Sequence, residues 1–105
     1  MKFVSPQFNA IPMLVGSVIG NGQKDVTTAS TSEILLTATA TMAVLIKAKA
    51  DNTGDIYVGN SGVDSSNGYI LDAGEAVAIG VDHNSSNIYI DASVSGEGVS
   101  YLTLV

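Results

Sequence analysis

The stretch Ala76-Val77-Ala78-Ile79-Gly80-Val81 decides the fold class. Its branched residues, Val77, Ile79 and Val81, recur at every second position. Successive side chains of a strand point to opposite faces. The three branched residues therefore face a core, and Ala76, Ala78 and Gly80 form an opposite face of small residues on which a partner can pack closely. The same period runs through Val44-Leu45-Ile46-Lys47-Ala48-Lys49, with Val44, Ile46 and Ala48 on one face and both lysines on the other. Asp55-Ile56-Tyr57-Val58-Gly59 follows the turn signal Asp51-Asn52-Thr53-Gly54. Asn87-Ile88-Tyr89-Ile90-Asp91 keeps Ile88 and Ile90 together and echoes the earlier Ile-Tyr-Val, so both segments are expected in central strands with Tyr57 and Tyr89 on one sheet face. Gly98 to Val105 reads as the last strand, Leu102 and Leu104 opposite Tyr101 and Thr103, with the C-terminus docked in the sheet. The best helical candidate, Glu33 to Lys49, is rich in Ala, Leu and Met. Within it Thr37-Ala38-Thr39-Ala40-Thr41 alternates with period two and reads as strand or extended chain. Turn clusters every eight to twelve residues complete the pattern of an all-β sandwich or barrel.

Composition narrows the function. The 105 residues suit one domain with its own core. There is no Cys, so disulfides and thiolate metal sites are out. Only 13 % of residues are charged, against about 25 % in an average soluble domain. No apolar run approaches the ~20 residues of a spanning helix. Four lysines, no arginine and ten acidic residues give a net charge of -6. Nucleic-acid binding, which neutralises phosphates with clustered Lys and Arg, is excluded on that balance. Anionic membrane surfaces repel the chain for the same reason.

Catalytic tools are scarce, and no catalytic, cofactor-binding or metal-ligating residue is expected. His83, the one histidine, sits in the polar turn Asp82-His83-Asn84-Ser85-Ser86 and reads as solvated. Asp51 to Asp55 and Asp64 to Gly68 lack the ligand spacing of a helix-loop-helix calcium loop. Their Asp, Asn and Gly residues are those that tight turns require. Gly16 to Gly22 is Gly-rich without the Lys and Thr of a phosphate loop, and Asn84-Ser85-Ser86 fits the glycosylation triplet, which carries meaning only in a secretory context.

Residues 1–20 differ from the rest. They hold one charge, Lys2, together with Phe3, Val4, Phe8, Ile11, Met13 and Leu14, and are broken by Pro6 and Pro12. This fits a secretory signal poorly. Two readings stay open: a first strand inside the domain's own core, or an apolar arm docking on a neighbouring subunit. The expected division is an arm or first strand over 1–20 and a β-sandwich over 21–105.

From Ala50 to Tyr101, about half the chain, the sequence resembles a small β-sandwich module of tailed-bacteriophage virion proteins. The resemblance rests on Asn52-Thr53-Gly54-Asp55-Ile56-Tyr57-Val58-Gly59, Asn67-Gly68-Tyr69-Ile70-Leu71-Asp72-Ala73-Gly74-Glu75, Val81-Asp82, Ile88-Tyr89-Ile90-Asp91-Ala92-Ser93 and Gly98-Val99-Ser100-Tyr101. It implies a jelly-roll-like sandwich of about eight short antiparallel strands, to which the apolar residues 1–20, outside the resemblance, are expected to add an extended N-terminal arm. It also implies a virion structural role, first a capsid decoration (cement) protein on the outside of the head, with the major capsid protein as partner and a homo-oligomer, a trimer, as its state. Phe3, Val4, Phe8, Ile11, Met13 and Leu14 are the expected subunit or capsid contacts. A tail or neck component and a carbohydrate-binding host-adhesion module are the alternatives. Gly54, Gly59, Gly68 and Gly74 are expected where the backbone needs positive φ, and Leu71 to Glu75 is expected to close a hairpin into Ala76–Val81.

Overall fold

The structure, a computed structural model, describes residues 17–36, 41–81 and 87–105. They form eight strands: β1 (Val18–Asp25), β2 (Glu33–Ile34), β3 (Ala43–Ala48), β4 (Ile56–Gly59), β5 (Tyr69–Leu71), β6 (Ala76–Gly80), β7 (Tyr89–Ala92) and β8 (Gly98–Leu104). Two four-stranded sheets result, one ordered β1-β8-β3-β6 and the other β2-β7-β4-β5. Every pairing is antiparallel. The all-β, sandwich-like body expected from the period-two segments is present, and no helix occurs among the described residues. β1 begins at Val18, so the first sheet takes in the last residues of the 1–20 segment. Residues 37–40, most of the Thr-Ala alternation, lie outside the described residues.

The register of the first sheet shows which side chains meet. Gly22, Tyr101, Ile46 and Val77 lie side by side across its four strands, as do Gly20, Thr103, Val44 and Ile79. These rows face the second sheet, whose inward set includes Ile56, Val58, Leu71, Ile88, Ile90 and Ala92. Val44, Ile46, Ile56, Ile90 and Val99 are sealed from solvent, and each such side chain contributes about 1.5–3 kcal/mol on burial. Gly20 and Gly22 make room for their cross-strand partners: a Cβ on Gly22 would lie 2.6 Å from the Tyr101 hydroxyl oxygen. The buried Thr41 hydroxyl donates to the Leu104 carbonyl, which satisfies it without water. Ser17 and Val105 exchange both backbone hydrogen bonds, so the C-terminal residues are docked as expected.

Two expectations are corrected. β5 and β6 do not form a hairpin, because they belong to different sheets. The turn between them carries the chain across the sandwich. Its Glu75 side chain accepts from the Asp72 amide, and Gly74 adopts φ +85°. Of the four glycines expected at positive φ, only Gly74 has it. Gly54, Gly59 and Gly68 are held by crowding instead. A Cβ on Gly68 would stand 2.6 Å from Tyr57 Cβ and 3.0 Å from the Asp64 carbonyl oxygen, and one on Gly54 would strike the Ser93 hydroxyl.

Candidate functional site

The two sheets present different outer faces. On the outside of the second sheet, Tyr57, Tyr89 and Asp91 share one side, as the register of β4 with β7 requires. Loops cover this side over Tyr57 and Asp91, while Ile70, the β5 partner of Tyr57, stays exposed at its edge. Gly68 lies on Tyr57 and the neighbouring Val63 is buried. The Ser30 amide reaches the Ala92 carbonyl, and the Ser32 hydroxyl donates to the Ser61 carbonyl, joining the two covering loops. Asp91 is thereby almost wholly buried, and its carboxylate accepts from the Ala92 amide.

Among the described residues no loop covers the outside of the first sheet between its Leu102 and Ser100 rows. Its rows are Asn21, Leu102, Leu45 and Ala78, then Gln23, Ser100, Lys47 and Ala76. Ala76, Ala78 and Gly80 are exposed, and Leu45 and Leu102 are half-exposed although apolar. Lys47 is the one charge in these rows, and the Lys49–Asp25 pair at 2.7 Å closes their lower end. A shallow hollow of about 310 Å³ lies over Asn21, Gln23, Leu45, Lys47, Ser100 and Leu102. The face of small residues read from Ala76, Ala78 and Gly80 is thus in place, and it continues into two outward leucines.

The two seams of the sandwich also differ. Beside β1 and β2 the seam is tied: Lys24, which faces inward, donates to Glu33 Oε1 at 2.7 Å, and the Thr27 amide donates to Glu33 Oε2. The Lys24 hydrogen bond, then that amide, holds the Glu33 carboxyl below the usual carboxylate range. Beside β6 and β5 the seam is open. Val77, Ile79 and Val81 point inward yet remain half-buried, and Tyr69, paired with Val58 on the inner side, is 61 % exposed. Together with Val58 and Ile88 they line a cleft of about 460 Å³. Val18, Ile19, Met42 and Val105 form a second group of exposed large apolar residues, at the end of the first sheet where β1 begins.

The turn aspartates act as turn residues. Asp64 accepts from the amide and hydroxyl of Ser66, which lowers its pKa. The loop at Asp51 to Gly54 is held from a distance. Glu97 accepts from the Thr53 amide and hydroxyl and from the Gly54 amide at 2.7–2.9 Å, and these bonds lower its pKa. Nothing in the sequence pointed to Glu97, because the residues it holds are 43 and 44 positions away. A hydrogen bond and like-charge repulsion from Asp55 raise the pKa of Asp72. Among the described residues no cluster of three or more His, Cys, Asp or Glu side chains gathers.

Phe3, Val4, Phe8, Ile11, Met13 and Leu14 lie outside the described residues, as do His83 and Asn84-Ser85-Ser86. Comparison with family models, with curated proteins and with solved structures finds no match.

Proposed function

We propose that the protein is a structural component of a tailed-bacteriophage virion, and specifically a capsid decoration protein that sits on the outside of the head, against the major capsid protein, and stabilises it. The observation that carries this reading is the one-sidedness of the body. Loops cover most of one sheet, leaving Ile70 exposed at its edge, while among the described residues the other presents an almost uncharged face of Leu45, Leu102, Ala76, Ala78 and Gly80. Such a face buries apolar area against a flat partner, and the wrapped side stays in water. The strand order β1-β8-β3-β6 facing β2-β7-β4-β5 supports reading the sandwich as a jelly roll, an architecture of viral capsid and lectin domains. Repetition over many sites makes modest individual contacts effective. The N-terminal segment with Phe3, Val4, Phe8, Ile11, Met13 and Leu14 adds a second, apolar contact to a neighbouring subunit.

The glycan-binding alternative needs exposed aromatic platforms. Tyr57 is buried under a loop, Tyr89 and Tyr101 are half-covered, and Tyr69 alone is exposed. The decoration reading is therefore preferred. Sedimentation of the purified protein with heads that lack it tests the reading, with Ala78→Glu as the probe. That side chain is exposed on the bare face, so the variant folds normally and is expected to lose at least about tenfold in head binding, a charge stranded in an apolar contact costing a few kcal/mol. Unchanged binding by Ala78→Glu, or no binding by the unaltered chain, overturns it. A count of six to a dozen copies per virion rather than hundreds moves the protein to the tail or neck.

A further inference from the structure

We propose that the open seam between β6 and β5 is the acceptor for residues 1–16 of a second copy of this chain, so that copies are joined by strand exchange. The proposal takes over the reading of the N-terminal segment as a docking element but needs no capsid.

The acceptor is built from two features that a single occupant would complete. First, β6 is an edge strand, Ala76–Gly80, without a charge or a proline, and among the described residues no strand pairs with its free side. Edges of this kind are normally blunted by charges, prolines, bulges or a covering segment. Its unpaired amides and carbonyls call for a peptide backbone, which a small apolar ligand does not supply. Second, the inward side chains beside this edge, Val77, Ile79, Val81 and Tyr69, stay part-exposed over the cleft, while Val44 and Ile46 on the next strand are sealed. A strand added to β6 sends every second side chain into that cleft and its main chain to the edge.

Residues 1–16 suit the role by length and chemistry. They contain one charge, and Gln7-Phe8-Asn9-Ala10-Ile11 between Pro6 and Pro12 matches the five residues of β6. Topology assigns the segment to a neighbour. It leaves the sheet before Val18, at the end where β6 finishes, because Val18 and Ala43 both pair with Leu104 and Ala43 pairs with Gly80. To reach the free side of its own β6 the segment would have to cross the ends of β8, β3 and β6, about 19 Å at ordinary strand spacing. It would then lie parallel to β6 in a body whose described pairings are all antiparallel. A second copy can present the same segment antiparallel, the more stable pairing. Each copy then gives one segment and receives one, so the exchange is satisfied in a reciprocal pair or in a closed ring.

The test uses the isolated full chain, so failure of capsid binding leaves it untouched. Light scattering after gel filtration is expected to give an oligomer, and the same chain without residues 1–14 is expected to run as a monomer. Because the protein has no cysteine, two singly substituted chains, Ala10→Cys and Ile79→Cys, can be mixed and treated with a short bismaleimide. A cross-linked dimer of the two different chains is expected. A monomeric full chain, an oligomer that survives the truncation, or a doubly substituted chain that links only to itself each overturns the proposal. Should the truncated chain fail to fold, the mass of the unaltered chain and the mixed cross-link still decide it.

Discussion

At the scale of single residues, two glycines separate backbone freedom from close approach. Gly74 has φ +85° with open space where a Cβ would point, so Gly74→Ala meets backbone strain alone. It is expected to cost about 1 kcal/mol, the penalty of a left-handed residue with a side chain. Gly68 has no such φ, but its Cβ would press on Tyr57 and the Asp64 backbone. Gly68→Ala must displace the loop that covers the second sheet and is expected to cost about 2 kcal/mol or more, as overpacking does. Urea unfolding of the two variants checks the order, and a Gly74→Ala loss equal to or above that of Gly68→Ala contradicts the account. The sequence marked both positions as turn glycines. It could not say which was crowded, because the crowding residue Tyr57 belongs to another strand.

At the scale of elements, β3 and β6 were legible because their inward residues alternate with exposed or half-exposed ones, and β4, β7 and β8 because they are runs of branched and aromatic residues bounded by turn signals, although in β4 and β7 both faces are buried. β1 was not, since its inward positions are Gly20, Gly22 and Lys24, two side-chain-free residues and a cation. β2 spans two residues, too short to carry a period. The period also said nothing of which sheet β5 or β6 joins, and turn residues alone cannot distinguish a hairpin from a crossing. The loops gave their chemistry but not their anchors, and the anchors set the acid response. Glu33, Asp64 and Glu97 all have lowered pKa values in the folded protein. Each therefore contributes stability that is present above the unfolded carboxylate pKa of about 4 and is lost as pH falls through the lower folded value. Asp72 has the opposite sign: raised by Asp55, it opposes folding at neutral pH and is relieved in acid. Three contributions against one predict a lower urea midpoint at about pH 3 than at about pH 7. Glu97→Gln is expected to shrink that difference. Asp72→Asn is expected to raise the midpoint at neutral pH and leave it unchanged in acid. A midpoint independent of pH in the wild-type chain counts against both.

At the scale of the whole molecule, the contrast of a wrapped sheet with a bare one, and of a tied seam with an open one, was only partly visible beforehand. The small-residue side of β6 could be read from Ala76, Ala78 and Gly80. The outward placement of Leu45 followed from its sharing a face with Lys47 and Lys49, but that of Leu102 did not, because in Gly98 to Val105 the leucines read equally well as core. The tied seam has a further consequence, for motion. With Lys24 and Glu33 tying one seam, and with only the Asp72–Glu75 turn joining β5 to β6 at one end of the other among the described residues, the sheets part most easily along the β6 side toward Gly80, and local opening costs least where fewest contacts must break. Amide hydrogen exchange on the isolated domain is therefore expected to run asymmetrically across one sheet. The β6 amides bonded to β3 should exchange well before the β1 amides bonded to β8, although both strands lie at an edge. Equal protection of the two edges would show that the molecule has no preferred side from which to come apart. The expected gradient gives it a direction of unzipping, set by one ion pair on the far side of the core.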